Sequence, residues 1–306
     1  MNLRAPRADE TAEIAKLLTR AAEESGLGSV EPEEVAQWFS LPTFDVAGNF
    51  RVAERDGTLL AYCDLSTSFD GDTRVFMDLR SAPGAGKAAA AVLDWACVRT
   101  RELASGRTVL RTGVSERDVA KRRLLEERGF AVVRHLLQML IDFDGEPEAP
   151  RWPEGIELAP LDPGRNDHAA FDAFQETFRD AWGFAPTPFE EWQHIRFAAH
   201  DFDPALHFLA YDADEIAGLA FCVAESSRHP GYGWIDTLGV RRPWRKRGLG
   251  EALLRHSFCE LQRRGCRGAG LDVDADNLTG ATRLYERVGM HVVSRGDTYE
   301  LEVRPG

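Results

Sequence analysis

Cysteine is sparse in this 306-residue chain: five residues, scattered as Cys63, Cys97, Cys222, Cys259 and Cys266, never spaced Cys-x-x-Cys. That pattern argues against a disulfide framework or a zinc-thiolate cluster and fits reduced thiols in a cytoplasm. Long apolar runs are missing as well. None approaches the roughly 20 residues needed to cross a bilayer, and the longest, such as residues 88–93, are core-sized. The first six residues lead into polar text rather than an apolar signal segment, so a cytoplasmic location is expected. Positive charge is in deficit: 37 Lys and Arg against 50 Asp and Glu leave a formal charge of −13. A generic nucleic-acid binder needs a basic face to neutralise phosphates. Nucleic acid and membrane are therefore set aside as partners, whereas a small, cationic molecule is tolerated by an acidic surface.

What is present is repetition. A chain of this length exceeds one ordinary core, and two domains are expected. Residues 144–155 hold three prolines, two glycines and several acids, a run that propagates neither helix nor central strand. On either side the same order recurs. Residues 52–62 and 209–219 each read as a strand, an Asp-rich turn and a second strand. Residues 124–130 and 284–290 each read as a helix ending at a glycine, Gly129 or Gly289, expected as left-handed caps. Residues 75–79 and 234–238 each read as a strand feeding a glycine turn and a helix. The expected fold is α/β (α+β): two tandem domains, 1–149 and 150–306, each a mixed, mostly antiparallel sheet flanked by helices.

One passage carries chemistry. Residues 239–254 run from a strand into a turn with Arg241, Arg242, Arg245, Lys246 and Arg247, then through Gly248 and Gly250 into an amphipathic helix. Glycines let backbone N–H groups approach a ligand, and a helix start offers unpaired N–H groups with the positive end of its dipole. Together they suit a diphosphate. An Arg-rich run alone reads more readily as a solvated basic loop; the strand–loop–helix context reverses that in favour of the phosphate seat. A dinucleotide fingerprint is excluded because no glycine follows at the third position, and the Walker lysine is missing. Asp272, Asp274 and Asp276 imitate a calcium loop, but Asn277 stands where glycine is needed and Arg283 where glutamate is. His194, His200 and His207 lack metal-ligand spacing, so no metal is expected.

Arg245-x-x-Gly248-x-Gly250, with the strand before it, the strand 270–274, Tyr285 in the helix read over 277–288, and the Gly289-Met290 turn, resembles the GNAT superfamily of N-acyltransferases, in a tandem two-domain layout. The resemblance implies acetyl-CoA as acyl donor. Its diphosphate would sit on Arg245, Lys246, Arg247, Gly248, Leu249, Gly250 and Glu251. Its pantetheine would run along Leu238, Gly239 and Val240, with an N–H near Val240 polarising the thioester. Tyr285 would be the acid that meets the leaving thiolate, although a tyrosine packed against the sheet is the alternative. Asn277 would be a cofactor contact or simply a helix cap.

The base is read from the residues. Asp236, expected to be half-buried in mid-strand, is costly there without a task or a partner; pairing with an arginine explains it as well. Glu225 is the second candidate. The first copy has Leu125 where the second has Tyr285, Arg117 where it has Asn277, and a glycine turn shorter by six residues. It is expected to be a structural, degenerate copy whose Trp38, Phe39 and Phe44 pack in a core or form a lid. The expected activity is N-acetyl transfer from acetyl-CoA to a small primary amine, by a monomer or homodimer; a non-catalytic acyl-CoA sensor is the alternative.

Overall fold

The computed structural model describes residues 1–41, 44–70, 72–104, 106–197, 202–277 and 280–304. Its elements run β1 (Asn2–Arg4), α1 (Thr11–Ser25), α2 (Pro32–Ser40), α3 (Val46–Asn49), β2 (Phe50–Arg55), β3 (Thr58–Asp70), β4 (Asp72–Ser81), α4 (Gly86–Leu103), β5 (Thr108–Ser115), α5 (Val119–Glu127) and β6 (Ala131–Asp142). After the proline-rich stretch come β7 (Ile156–Pro160), α6 (Asp167–Phe178), α7 (Phe189–Phe197), β8 (His207–Asp212), β9 (Glu215–Val223), β10 (Tyr232–Val240), α8 (Leu249–Arg263), β11 (Gly268–Asp274), α9 (Ala281–Arg287) and β12 (His291–Val303). Both hairpins form where the alternation places them. Asp56 and Gly57, at φ 51° and 77°, close β2–β3 in the left-handed turn that matches strand twist. Gly129 and Gly289, at φ 82° and 96°, end α5 and α9 as left-handed caps.

The chain divides into two compact units, Met1–Leu136 with Ser294–Gly306, and Leu137–Val293. These units do not follow the linear division at 149/150. The reason is β12, whose residues Gly296 to Val303 pair antiparallel with Ser115 to Thr108 of β5. Tyr299 is 1% exposed in the first unit's core and donates to Glu126 at 2.8 Å, while Arg111 and Glu300 form a well-covered ion pair at 2.6 Å. The end of β6 serves the second unit: Met139 lies in that unit's core.

The first unit orders its strands β1-β2-β3-β4-β5-β12, antiparallel except for the parallel pair β4–β5. One face buries Ala88, Val92 and Leu93 of α4 against Cys63, Leu65 and Met77. The other buries Ile14, Leu17 and Val35 against Phe50 and Tyr62, with Trp38, Phe39 and Phe44 packed beside them. Those three aromatics therefore belong to core packing.

The second unit runs β6-β11-β10-β9-β8-β7, with β10–β11 parallel and the β7 to β10 pairs antiparallel. Leu249, Leu253 and Phe258 of α8 and Tyr285 of α9 pack with Ile235 and Leu271 on one face. Ala170 and Ala173 of α6 and Trp192 of α7 pack with Leu209, Leu219 and Phe221 on the other. No helix among the described residues is long and apolar enough to cross a membrane.

His207, buried at the head of β8, stacks on Phe221. Its Nδ1 lies 3.0 Å from the Asp203 carbonyl, so that nitrogen carries the proton and donates. Burial pushes its pKa down to about 4. The unfolded chain then takes up a proton near pH 6.5 that the folded chain refuses, so stability falls as pH drops from about 6.5 to about 4 and levels off below. Thermal unfolding across that range should show the slope in the wild type and a shallower one in His207→Gln.

Candidate active site

The site is built around a break in strand pairing. β10 and β11 pair in parallel from Tyr232↔Gly268 to Trp234↔Gly270, whereas β10 stays paired with β9 as far as Val240↔Gly218. Leu238, Gly239 and Val240 thus keep one backbone edge without a strand partner among the described residues, where the Val240 carbonyl accepts from Arg245. Gly239 is required by space: a Cβ there would lie 2.4 Å from Thr177 Cγ2 at the end of α6.

β10 then enters a short 3-10 turn, Arg242–Trp244. The Trp244 indole donates to Asp212 at 2.7 Å, anchoring the turn to the end of β8. Lys246 takes φ 63° and Gly248 φ 87°, a left-handed geometry strained for the lysine and free for the glycine. The first backbone bond into α8 runs from Ala252 N–H to the Gly248 carbonyl, and α8 has no side-chain cap. None of the N–H groups from Lys246 to Glu251 has a protein acceptor among the described residues. A run of unpaired amides at a helix start suits an anion.

The cations around this seat are not the free cluster that their spacing implies. Arg241 pairs with Glu176 at 2.7 Å and Glu215 at 3.4 Å. Arg242 grips Asp180 through two nitrogens at 2.9 and 2.5 Å, holding that carboxyl below its usual range. Arg247 lies 3.6 Å from Asp212. Arg245 donates to the Val240 carbonyl at 2.9 Å and the Thr177 carbonyl at 3.2 Å, so it ties the turn to β10 and α6. Lys246 is exposed, and its ammonium has no protein partner among the described residues. Leu249 points into the core, and the Glu251 carboxylate is engaged by Arg255 at 3.0 Å and Arg287 at 3.5 Å. Leu249, Gly250 and Glu251 therefore offer the seat backbone amides rather than side chains.

Tyr285 is 7% exposed on α9, within the core cluster that includes Leu249 and Leu253. Burial pushes its hydroxyl pKa up to about 12, so the phenol keeps its proton throughout the neutral range. The helix carrying it begins at Ala281, after Gly280 at φ 74°, not at Asn277. Asn277 N–H instead closes a turn onto the Asp274 carbonyl, and the N-cap position of α9 is Gly280.

Asp236 departs from its expected half-buried position. It is the extra residue of a β-bulge, between the pairs Ile235↔Cys222 and Thr237↔Phe221, and its side chain is 54% exposed. A bulge re-aims a strand side chain. Here the carboxylate meets Arg196 of α7, whose Nη1 donates to Oδ2 at 2.8 Å while Nη2 donates to Thr237 Oγ1 at 3.1 Å. Both line an open cleft of about 370 Å³ with Phe174, Phe178, Trp182 and Phe184. Glu225 sits on an exposed bend beyond β9 and is not part of that lining. His207 belongs to core packing, and His200 lies outside the described residues. Arg196 and the acidic partners Glu176, Asp180 and Asp212 have no signature in the sequence; Phe174 and Phe178 do, but as helical periodicity suggesting core.

The first unit repeats the frame with a shorter turn before its helix. β4 and β5 pair in parallel only from Thr73↔Thr108 to Phe76↔Arg111, and β4 continues with β3 to Ser81. The following turn is short, with Ala85 N–H bonded to the Ala82 carbonyl and Ala88 and Ala89 N–H bonded to the Ala85 carbonyl. Leu125, where the second unit has Tyr285, is fully buried.

Residues 168–290 match the model of the acetyltransferase (GNAT) family. The mycothiol acetyltransferase of Actinosynnema mirum is 29% identical over 292 residues, 92% of each chain; other mycothiol acetyltransferases match over about half of their length. Among solved structures, a GCN5-related N-acetyltransferase from Sphaerobacter thermophilus superposes at a TM-score of 0.75 with 32% identity, covering 100% of this chain and 96% of that one. A tandem GNAT protein from the clavulanic acid biosynthesis pathway superposes at 0.77 with 16% identity, covering 100% and 99%. The chain belongs to the GNAT family of acetyltransferases. Its layout is that of a tandem member, with two GNAT-like domains.

Proposed function

We propose that this chain is an acetyl-CoA-dependent N-acetyltransferase that moves the acetyl group directly to the primary amine of a small acceptor, both substrates being bound together. The observation carrying this reading is the row of unpaired amides from Lys246 to Glu251, beside an unpaired stretch of β10. The amides, with Lys246 as the exposed cation, hold the diphosphate; Leu238, Gly239 and Val240 offer backbone groups to the pantetheine. Asp236 takes a proton from the acceptor ammonium, freeing the amine nitrogen to form a bond to the thioester carbon as the carbon–sulfur bond breaks. Tyr285 donates a hydrogen bond to the departing sulfur, which takes up the second proton that the nitrogen sheds as it becomes the amide. A phenol at about 12 is a weaker acid than an ordinary thiol at about 8.5, so its main effect is to stabilise charge developing on sulfur.

Two measurements test this. Titration calorimetry with acetyl-CoA should show one tight site per chain, because the first unit's turn is shorter and its run of unpaired amides is broken by the Ala85 bond; two equal sites, or none, overturn it. Arg245→Ala should weaken acetyl-CoA about tenfold, since two charged hydrogen bonds that hold the loop are lost. Arg245→Lys should recover only part of that, lacking the fork that reaches both carbonyls. Unchanged affinity in the alanine variant would remove the loop from the binding site.

A further inference from the structure

Arg196 is placed where it does more than neutralise Asp236. Its guanidinium lies over the Phe221 ring at 4.8 Å and the Phe174 ring at 5.9 Å, and its side chain is 15% exposed. Such packing fixes the plane of the group before any ligand arrives. Of its five N–H groups, Nη1 and Nη2 each use one, on Asp236 and Thr237, and Nε is buried without a partner. Each terminal nitrogen therefore retains an N–H beside the cleft. Asp236 is similarly half used. Its Oδ2 accepts from Arg196 and Thr237, while no hydrogen bond reaches Oδ1 among the described residues and the side chain is half exposed.

The cleft thus holds an anionic acceptor and cationic donors side by side, under an aromatic wall of Phe174, Phe178, Trp182 and Phe184. From this juxtaposition we infer that the acceptor is a zwitterion, an α-amino acid with a large apolar side chain. Its ammonium meets Asp236 Oδ1, its carboxylate meets the spare N–H groups of Arg196, and its side chain lies on the aromatic wall. A guanidinium is suited to this because it presents parallel donors to a planar carboxylate. A polyamine fits less well, since a second ammonium would face Arg196. The inference rests on the acetyl-transfer reading above and on Asp236 as its proton acceptor.

The test compares three acceptors of one shape: L-phenylalanine, L-phenylalaninamide and 2-phenylethylamine. Thiol release from acetyl-CoA by the full chain is followed at a pH set so that each amine is equally ionised. In the wild type, kcat/KM for phenylalanine should exceed that for its amide at least tenfold. In Arg196→Gln that ratio should fall toward one, and Arg196→Lys should restore part of it, a pattern that a merely structural arginine would not give. A wild-type ratio near one, turnover of phenylethylamine or the amide without the acid, or a ratio that survives Arg196→Gln each overturns the inference while leaving acetyl transfer intact. The wild-type comparison stands even where a variant misfolds. Failure of acetyl-CoA to bind at all would instead bring down the reading on which it rests.

Discussion

Tyr285→Phe is expected to lower kcat about 10²-fold while leaving acetyl-CoA affinity as it was. The ring is what packs: Tyr285 is buried among Leu249, Leu253 and Val288, and phenylalanine keeps that contact while removing the hydroxyl proposed to donate to sulfur. Calorimetry separates the two effects, because a packing defect near α8 would also loosen the amide seat and weaken binding. The hydroxyl pKa of about 12, set by burial, adds a condition. Tyrosine ionisation should contribute no fall in rate between pH 6 and 10, so any alkaline limb there belongs to another group. Wild-type turnover in the phenylalanine variant would exclude the hydroxyl from the reaction.

Asp236→Asn should cost a comparable factor, about 10² to 10³ in kcat/KM near neutrality. Asparagine preserves an acceptor for Arg196 and the bulge geometry but cannot take a proton. The split of the effect between kcat and KM distinguishes a base from a merely attractive charge. If Asp236 removes the proton, the deficit shrinks as pH rises toward the acceptor's own pKa, where the amine is already free. If it only attracts the ammonium, the loss falls on KM while kcat is unchanged, and that loss too shrinks as the ammonium deprotonates. A variant with unaltered kcat/KM at every pH would transfer the role elsewhere, and the exposed Glu225 lies away from the cleft lining.

Local rules made much of this molecule legible. Gly129 and Gly289 announced their helix ends, and the Asp-Gly text at 56–57 announced its turn, because each depends on residues a few positions apart. The amide seat was legible for the same reason: Gly248, Gly250 and the helix that follows form one continuous segment. What the sequence concealed depends on distant partners. Arg241 and Arg242 read as members of a dense basic cluster but are occupied by Glu176 and Asp180, some sixty residues earlier. Asp236 read as half-buried because alternation was assumed to continue through β10, whereas the bulge turns it outward. Asn277 read as a cap four residues ahead of where α9 begins. Arg196 had no motif at all; its meaning comes from Phe221 and Asp236, each reached only through tertiary packing.

The placement of β12 bears on how the two copies can be separated. Severing the backbone in the proline-rich stretch would produce a first fragment lacking the strand that hydrogen-bonds to β5, exposing Leu110 and the sheet edge around it, and a second fragment carrying an orphaned ribbon with Tyr299 stripped of its cover. The first unit is built from both ends of the chain, so no single cut of the backbone separates it from the second.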